Sequence, residues 1–167
     1  TSRGLGDVYK RQYLLEVNDL GMAQSDDFTS DALTKSILIF DEKTNLASAN
    51  GSLDFLGDVD WHAVDLTGRN TYIIDVSGHG EAALEDPYLK VFDVDGNLVV
   101  SNDDGGTDSN ARLRFSPDED EKYFIEASGY NNSYVGDYTV NLTEIDTAKD
   151  IPNLSLIHIS EPTRRRG

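Results

Sequence analysis

The sequence predicts an all-β protein: an antiparallel β-sandwich, jelly-roll-like, of eight or nine short strands. Three observations carry this. Short stretches alternate apolar and polar residues at period two and recur about every ten residues. Turns rich in Gly, Asp and Asn separate them. No long window keeps the 3.6-residue period of an amphipathic helix, and Ser30 to Lys35 supports a single helical turn at most.

The clearest element is Gly57-Asp58-Val59-Asp60-Trp61-His62-Ala63-Val64-Asp65-Leu66. Two acids open it, and His62, Val64 and Leu66 then share one face, opposite Ala63 and Asp65. Before it, Ser36 to Phe40 (SILIF) is a candidate first strand, ended by the turn Asp41 to Asn45, and Gly51 to Phe55 leads into the pair of acids. After it, Thr71 to Val76 places Tyr72, Ile74 and Val76 on one face. Leu89 with Val91, and Leu98 with Val100, flank Asp95-Gly96-Asn97. An Asp-Gly between apolar runs signals a hairpin, because the turn requires φ > 0. Leu113 and Phe115 alternate with Arg112 and Arg114; Tyr123, Ile125 and Ala127 alternate with Phe124 and Glu126; Tyr138 to Thr143 closes the set. The expected core is Trp61, Tyr72, Ile74, Leu89, Val91, Leu113, Phe115, Ile125, Tyr138 and Val140.

The two ends stand apart. Ser2 to Gln12 reads SRGLGDVYKRQ and Leu154 to Arg164 reads LSLIHISEPTR. A codon choice exists for which one coding strand is the reverse complement of the other, as in a transposase adapter joined to both ends of a sequencing fragment. Residues 1–12 and 154–167 are therefore read as adapter-derived and set aside from fold reasoning. Within the remaining stretch, Tyr13 to Asn18 (YLLEVN) resembles Tyr138 to Thr143 (YTVNLT). This suggests a tandem array: residues 13–21 as the last strand of a preceding repeat, 22–146 as one sandwich domain, and 147–153 as the linker to a next repeat.

The chain has 14 basic and 31 acidic residues. Setting aside three basic and one acidic residue at each end leaves 8 and 29, a net charge of −21. Such a surface repels nucleic acid and anionic membranes and favours cations or calcium-rich surroundings. There is no cysteine, so stability must come from the core or from metal. No stretch of 18 apolar residues exists, which argues against membrane insertion.

With the strands placed, the ordered motifs resemble the bacterial pre-peptidase C-terminal domain. The residues that carry the resemblance are Gly57-Asp58-Val59-Asp60-Trp61, Gly68-Arg69-Asn70-Thr71-Tyr72 and Asp86-Pro87-Tyr88-Leu89. They continue with Asp95-Gly96-Asn97, Asn102-Asp103-Asp104, Lys122-Tyr123-Phe124 and Gly136-Asp137-Tyr138. His62 departs from the pattern, which has Phe or Tyr there. The resemblance implies a jelly roll, often repeated, attached to secreted peptidases and other exoproteins, with no activity of its own. It also implies an extracellular or cell-surface location. The related collagen-binding modules of clostridial collagenases hold calcium with linker acids, which supports the linker acid Asp27 and the strand-entrance acids Asp58 and Asp60 as ligands for Ca²⁺; Asp103 and Asp104 of the Gly-rich loop are further candidates from the sequence itself.

From the residues themselves, hard carboxylate oxygens in a flexible loop suit Ca²⁺, which takes six to eight of them. The competing reading is that these aspartates cap turns through backbone N–H groups. A shared ion at Asp58 and Asp60 requires the loop there to bend. Asp93-Val94-Asp95-Gly96-Asn97 has the start of an EF-hand loop but lacks the distal Glu, so a hairpin turn is expected. Ser77-Gly78-His79-Gly80 has no partner motif for a serine hydrolase. His62 is expected to be a hydrogen-bonded, part-buried histidine, and Tyr130 and Tyr134 to pack within their loop, with adhesion through their rings as the competing reading. The functional expectation is a non-catalytic accessory or adhesion module of a secreted bacterial protein. Its partners would be an extracellular protein or polysaccharide, or neighbouring domains of the same chain. The alternatives are a calcium-stiffened spacer repeat in a surface array and a fragment of a peptidase whose active site lies elsewhere.

Overall fold

In the computed structural model, residues 27–145 are described. The adapter-like termini, the strand expected at 13–21 and the linker at 147–153 lie outside the described residues. Eight strands follow in order: β1 (Leu46–Leu53), β2 (Val59–Leu66), β3 (Thr71–Gly78), β4 (Pro87–Phe92), β5 (Leu98–Asn102), β6 (Ala111–Phe115), β7 (Glu121–Gly129) and β8 (Gly136–Ile145). They form two four-stranded antiparallel sheets, β1-β8-β3-β6 (sheet I) and β2-β7-β4-β5 (sheet II). Every connection crosses between sheets except the β4–β5 hairpin. This is the strand order of a jelly-roll sandwich, as the sequence predicts.

The core lies between the sheets. Period-two patterning puts Tyr72, Ile74 and Val76 of β3, Leu89 and Val91 of β4, Ile125 and Ala127 of β7, and Val140 and Leu142 of β8 there. The hairpin after β4 forms as its Asp-Gly predicts. Gly96 takes φ = 79°, and the Asp93 carboxylate accepts the backbone N–H groups of Asp95 and Asn97. Its oxygens are spent on the turn, which holds its pKa below the ordinary value, chiefly through Asn97.

Three expectations are corrected. Ser36 to Phe40 is not a ladder strand. It runs along the edge of β2, with one parallel bridge between Ile37 and Ala63 and two backbone hydrogen bonds, Leu38 N to Ala63 O and Ala63 N to Ser36 O. Leu38 turns into the core while Ile37 and Ile39 face solvent. The first strand is instead Leu46–Leu53, a run of small and polar residues paired along its whole length with β8. Finally, Trp61 and Phe115 are only partly buried. Trp61 is out of phase with His62 and lies on the outer face of sheet II, and Phe115 packs at the margin of the core.

Candidate functional site

Polar side chains gather at two places on β2, one on each face of sheet II. The inner group begins with Asp60 and His62, which share the core-facing phase and are fully buried. Tyr138 of β8 reaches them from sheet I. It can do so because its register partner on β1 is Gly51. A Cβ there would lie 2.3 Å from the tyrosine oxygen, so only glycine leaves room for the ring. The Tyr138 hydroxyl donates to Asp60 Oδ2 at 2.7 Å. His62 Nε2 lies 2.8 Å from the same hydroxyl, and His62 Nδ1 lies 2.6 Å from Ser36 Oγ.

The proton positions follow from the chemistry. Burial, and then the charge of Asp60, push the Tyr138 hydroxyl far above its usual range, with Asp27 and Asp58 adding to it. The hydroxyl therefore keeps its proton and gives it to Asp60. Its oxygen accepts from His62 Nε2–H, which leaves Nδ1 to accept from the Ser36 hydroxyl. Burial lowers the His62 pKa to about 4, so the ring is neutral at pH 7. The chain Ser36–His62–Tyr138–Asp60 thus ties the N-terminal segment to sheet II and sheet II to sheet I. Phe28 adds an edge-on contact with the His62 ring at 5.1 Å, and Thr34 Oγ1 donates to Trp61 O at 2.7 Å.

The structure divides the five candidate calcium ligands into two groups. Asp27, Asp58 and Asp60 surround Tyr138 closely enough to act on it. Asp103 and Asp104 instead lie after β5, where their charges, after burial, raise the pKa of Asp86. The two groups mark opposite edges of sheet II, because Val59 pairs with Ser128, Tyr88 also pairs with Ser128, and Leu89 pairs with Asn102. Asp58 accepts the backbone N–H groups of Asp54 (2.6 Å) and Val59 (2.9 Å); Asp27 accepts Ser52 N–H; Asp103 accepts Asp104 N–H. Among the described residues, no group of three or more His, Asp or Glu side chains is arranged to hold a metal ion.

His79 is exposed in the loop after β3, with its backbone N–H on Asp137 O. Tyr134 packs against the core and hydrogen-bonds to Asp86, while Tyr130 is exposed and sits edge-on to Tyr88.

The outer group was not anticipated. On the solvent side of sheet II, Trp61 stacks on Phe92 at 4.5 Å and leans on Phe124 at 5.3 Å. Its indole N–H donates to Glu126 Oε2 at 3.0 Å. The other Glu126 oxygen pairs with Lys90, whose ammonium lies 5.0 Å from the centre of the Tyr88 ring. The Tyr88 hydroxyl donates to Ser101 Oγ. One signal was available: β7 reads Tyr-Phe-Ile-Glu-Ala, with apolar groups in both phases, so both of its faces had to be covered.

These features define an eight-stranded jelly-roll domain with a sealed polar chain inside and an aromatic face outside. No protein-family model matches the sequence, and no curated protein matches it. Solved structures do. PliG of Aeromonas hydrophila, a periplasmic inhibitor of g-type lysozyme, aligns at 13% identity and TM-score 0.51, covering 66% of this chain and 95% of PliG. The pre-peptidase C-terminal domain of a Bacillus anthracis collagenase aligns at 18% identity and TM-score 0.41 over 59% and 87% of the two chains. CorA, a surface-associated copper-binding protein of Methylomicrobium album BG8, aligns at 13% identity and TM-score 0.41 over 66% and 97%. At these identities the likeness to PliG concerns the fold alone.

Proposed function

We propose that this chain is a non-catalytic recognition module of a secreted or surface bacterial protein. One observation carries the reading. Ser36, His62, Tyr138 and Asp60, the described side chains nearest to a hydrolytic relay, are buried and spent on one another. A serine nucleophile needs an approach for its substrate and donors for the oxyanion, and Ser36 is 8% exposed with its Oγ against His62 Nδ1. The solvent side of the same sheet carries aromatic and paired polar groups of the kind used for recognition. The pre-peptidase C-terminal resemblance of the motifs fits the same role.

The experiment is exposure of the folded chain to a fluorophosphonate serine probe, read by intact mass. The reading predicts no adduct. A stoichiometric adduct on Ser36 would overturn it in favour of a hydrolase.

The spacer reading draws on the acids near Tyr138. Calcium held by Asp27, Asp58 and Asp60 would clamp the N-terminal segment onto β1 and β2. It would require the Asp58 carboxylate to share or leave its two backbone donors.

A further inference from the structure

We propose that the outer face of sheet II binds a neutral polysaccharide chain, with a pyranose ring stacked on Trp61; this rests on the recognition reading above. The face is ordered by register. Trp61 is opposite Glu126, Glu126 is opposite Lys90, and Lys90 is opposite Ser101, so an aromatic ring, an acid, a base and a hydroxyl form one row across four strands. The row beside it is apolar: Ala63, Phe124, Phe92 and Leu98. A sugar ring presents the same two qualities. Its axial C–H groups seek the negative face of an aromatic ring, and its hydroxyls both donate and accept at its rim.

Charge selects a neutral occupant. The ionisable side chains in the outward phase of these strands pair off, Lys90 with Glu126 and Lys122 with Asp65. The face is therefore locally neutral on a chain of net charge −17. An anionic polymer is repelled by the rest of the molecule, and a cationic one has no reason to choose this face. The dimensions of the face suit a chain of sugar rings. Four strands span about 14 Å, and the six-residue rise from Val59 to Asp65 about 20 Å. Trp61, Tyr88 and Phe92 stay partly exposed on this face. Phe124 is 2% exposed, and Leu98, at the far end of the same row beyond Phe92, is 55% exposed.

The test uses the full chain and its sole tryptophan, which is Trp61. Retention on microcrystalline cellulose, chitin beads and, as anionic control, alginate beads is measured alongside Trp61 emission titrated with cellohexaose and chitohexaose. The proposal predicts retention on a neutral polymer, none on alginate, and a saturable emission change with the matching oligosaccharide. Trp61→Ala should weaken retention at least tenfold. Because Trp61 also covers Phe124, Tyr88→Ala at the rim serves as a second variant, with a loss of about threefold or more and an unchanged far-UV spectrum. No retention and no emission change across the panel would overturn the proposal, as would retention indifferent to both substitutions. An emission change on simple dilution would also overturn it, assigning the face to a second copy of the chain. Reducing ends are counted in the same samples: their release would instead overturn the non-catalytic reading, whereas absent binding without release leaves that reading standing.

Discussion

Residues 60 to 62 of β2 carry two polar clusters that face opposite ways. Asp60 and His62 point inward and Trp61 points outward. Inward, the partners come from other layers: Tyr138 from sheet I and Ser36 from the N-terminal segment. Outward, the partners come from the same sheet, Glu126 and Phe124 on β7 and Phe92 on β4. The inner cluster cannot be rearranged without separating the sheets. The outer one can change its contacts while the backbone ladder stands. Polar chemistry sealed between layers therefore serves stability, and polar chemistry on the free side of one layer is open to a ligand.

The sharpest way to break this contrast is Tyr138→Phe. It keeps the ring but takes a donor from buried Asp60 and an acceptor from buried His62. Each loss costs about 1–3 kcal/mol, more where charge is involved, so about 3–5 kcal/mol of unfolding free energy should vanish in a denaturant titration. A cost under about 1 kcal/mol would show that the chain of hydrogen bonds does not join the sheets.

Acid provides the next largest effect. His62 has a folded pKa of about 4 against an ordinary value of 6.5. Between those values the unfolded state binds the proton and the folded state does not. The stability contributed by the neutral ring is therefore present above pH 6.5 and lost as pH falls toward 4, by about 3 kcal/mol. Unfolding titrations at pH 7 and pH 5 should show most of this loss, and His62→Gln should flatten the difference over that window.

Calcium sharpens the comparison from outside the core. If free Ca²⁺ stands at about 100 times Kd, stability rises by about 2.7 kcal/mol, or roughly 8–11 °C in Tm for a domain of this size. Melts in Ca²⁺, in Mg²⁺ at equal ionic strength and in chelator separate a site from simple screening. A Ca²⁺-specific rise that disappears when Asp58→Asn and Asp60→Asn are combined supports the spacer reading. Equal rises with both ions leave Asp58 as a cap for the turn before β2.

Much of the sandwich was legible because burial on one face writes period two into the chain, as in Tyr72-Ile73-Ile74-Asp75-Val76. β1 was not legible. Its inward residues are Ala47, Ala49, Gly51 and Leu53, small because Tyr138 and its neighbours fill the space, and a strand of small residues carries little apolar signal. Ser36 to Phe40 misled for the opposite reason: it is strongly apolar, yet only Leu38 and Phe40 reach the core, and Ile37 and Ile39 line an open edge. The phase of Trp61 was hidden by its size. Asp58 and Asp60 on one side and Asp103 and Asp104 on the other, expected as ligands of one ion, lie apart by the width of sheet II, a distance set by strand order that residue type does not reveal.

The division of labour between the two faces is tested most directly by titrating Trp61 emission with the oligosaccharide that the binding panel selects, in the parent chain and in Tyr138→Phe, at a temperature where both are folded. The predicted result is the same midpoint within about twofold for a variant that is several kcal/mol less stable. A folded Tyr138→Phe with affinity reduced tenfold or more would contradict the account, because the sealed chain inside would then belong to the binding site outside.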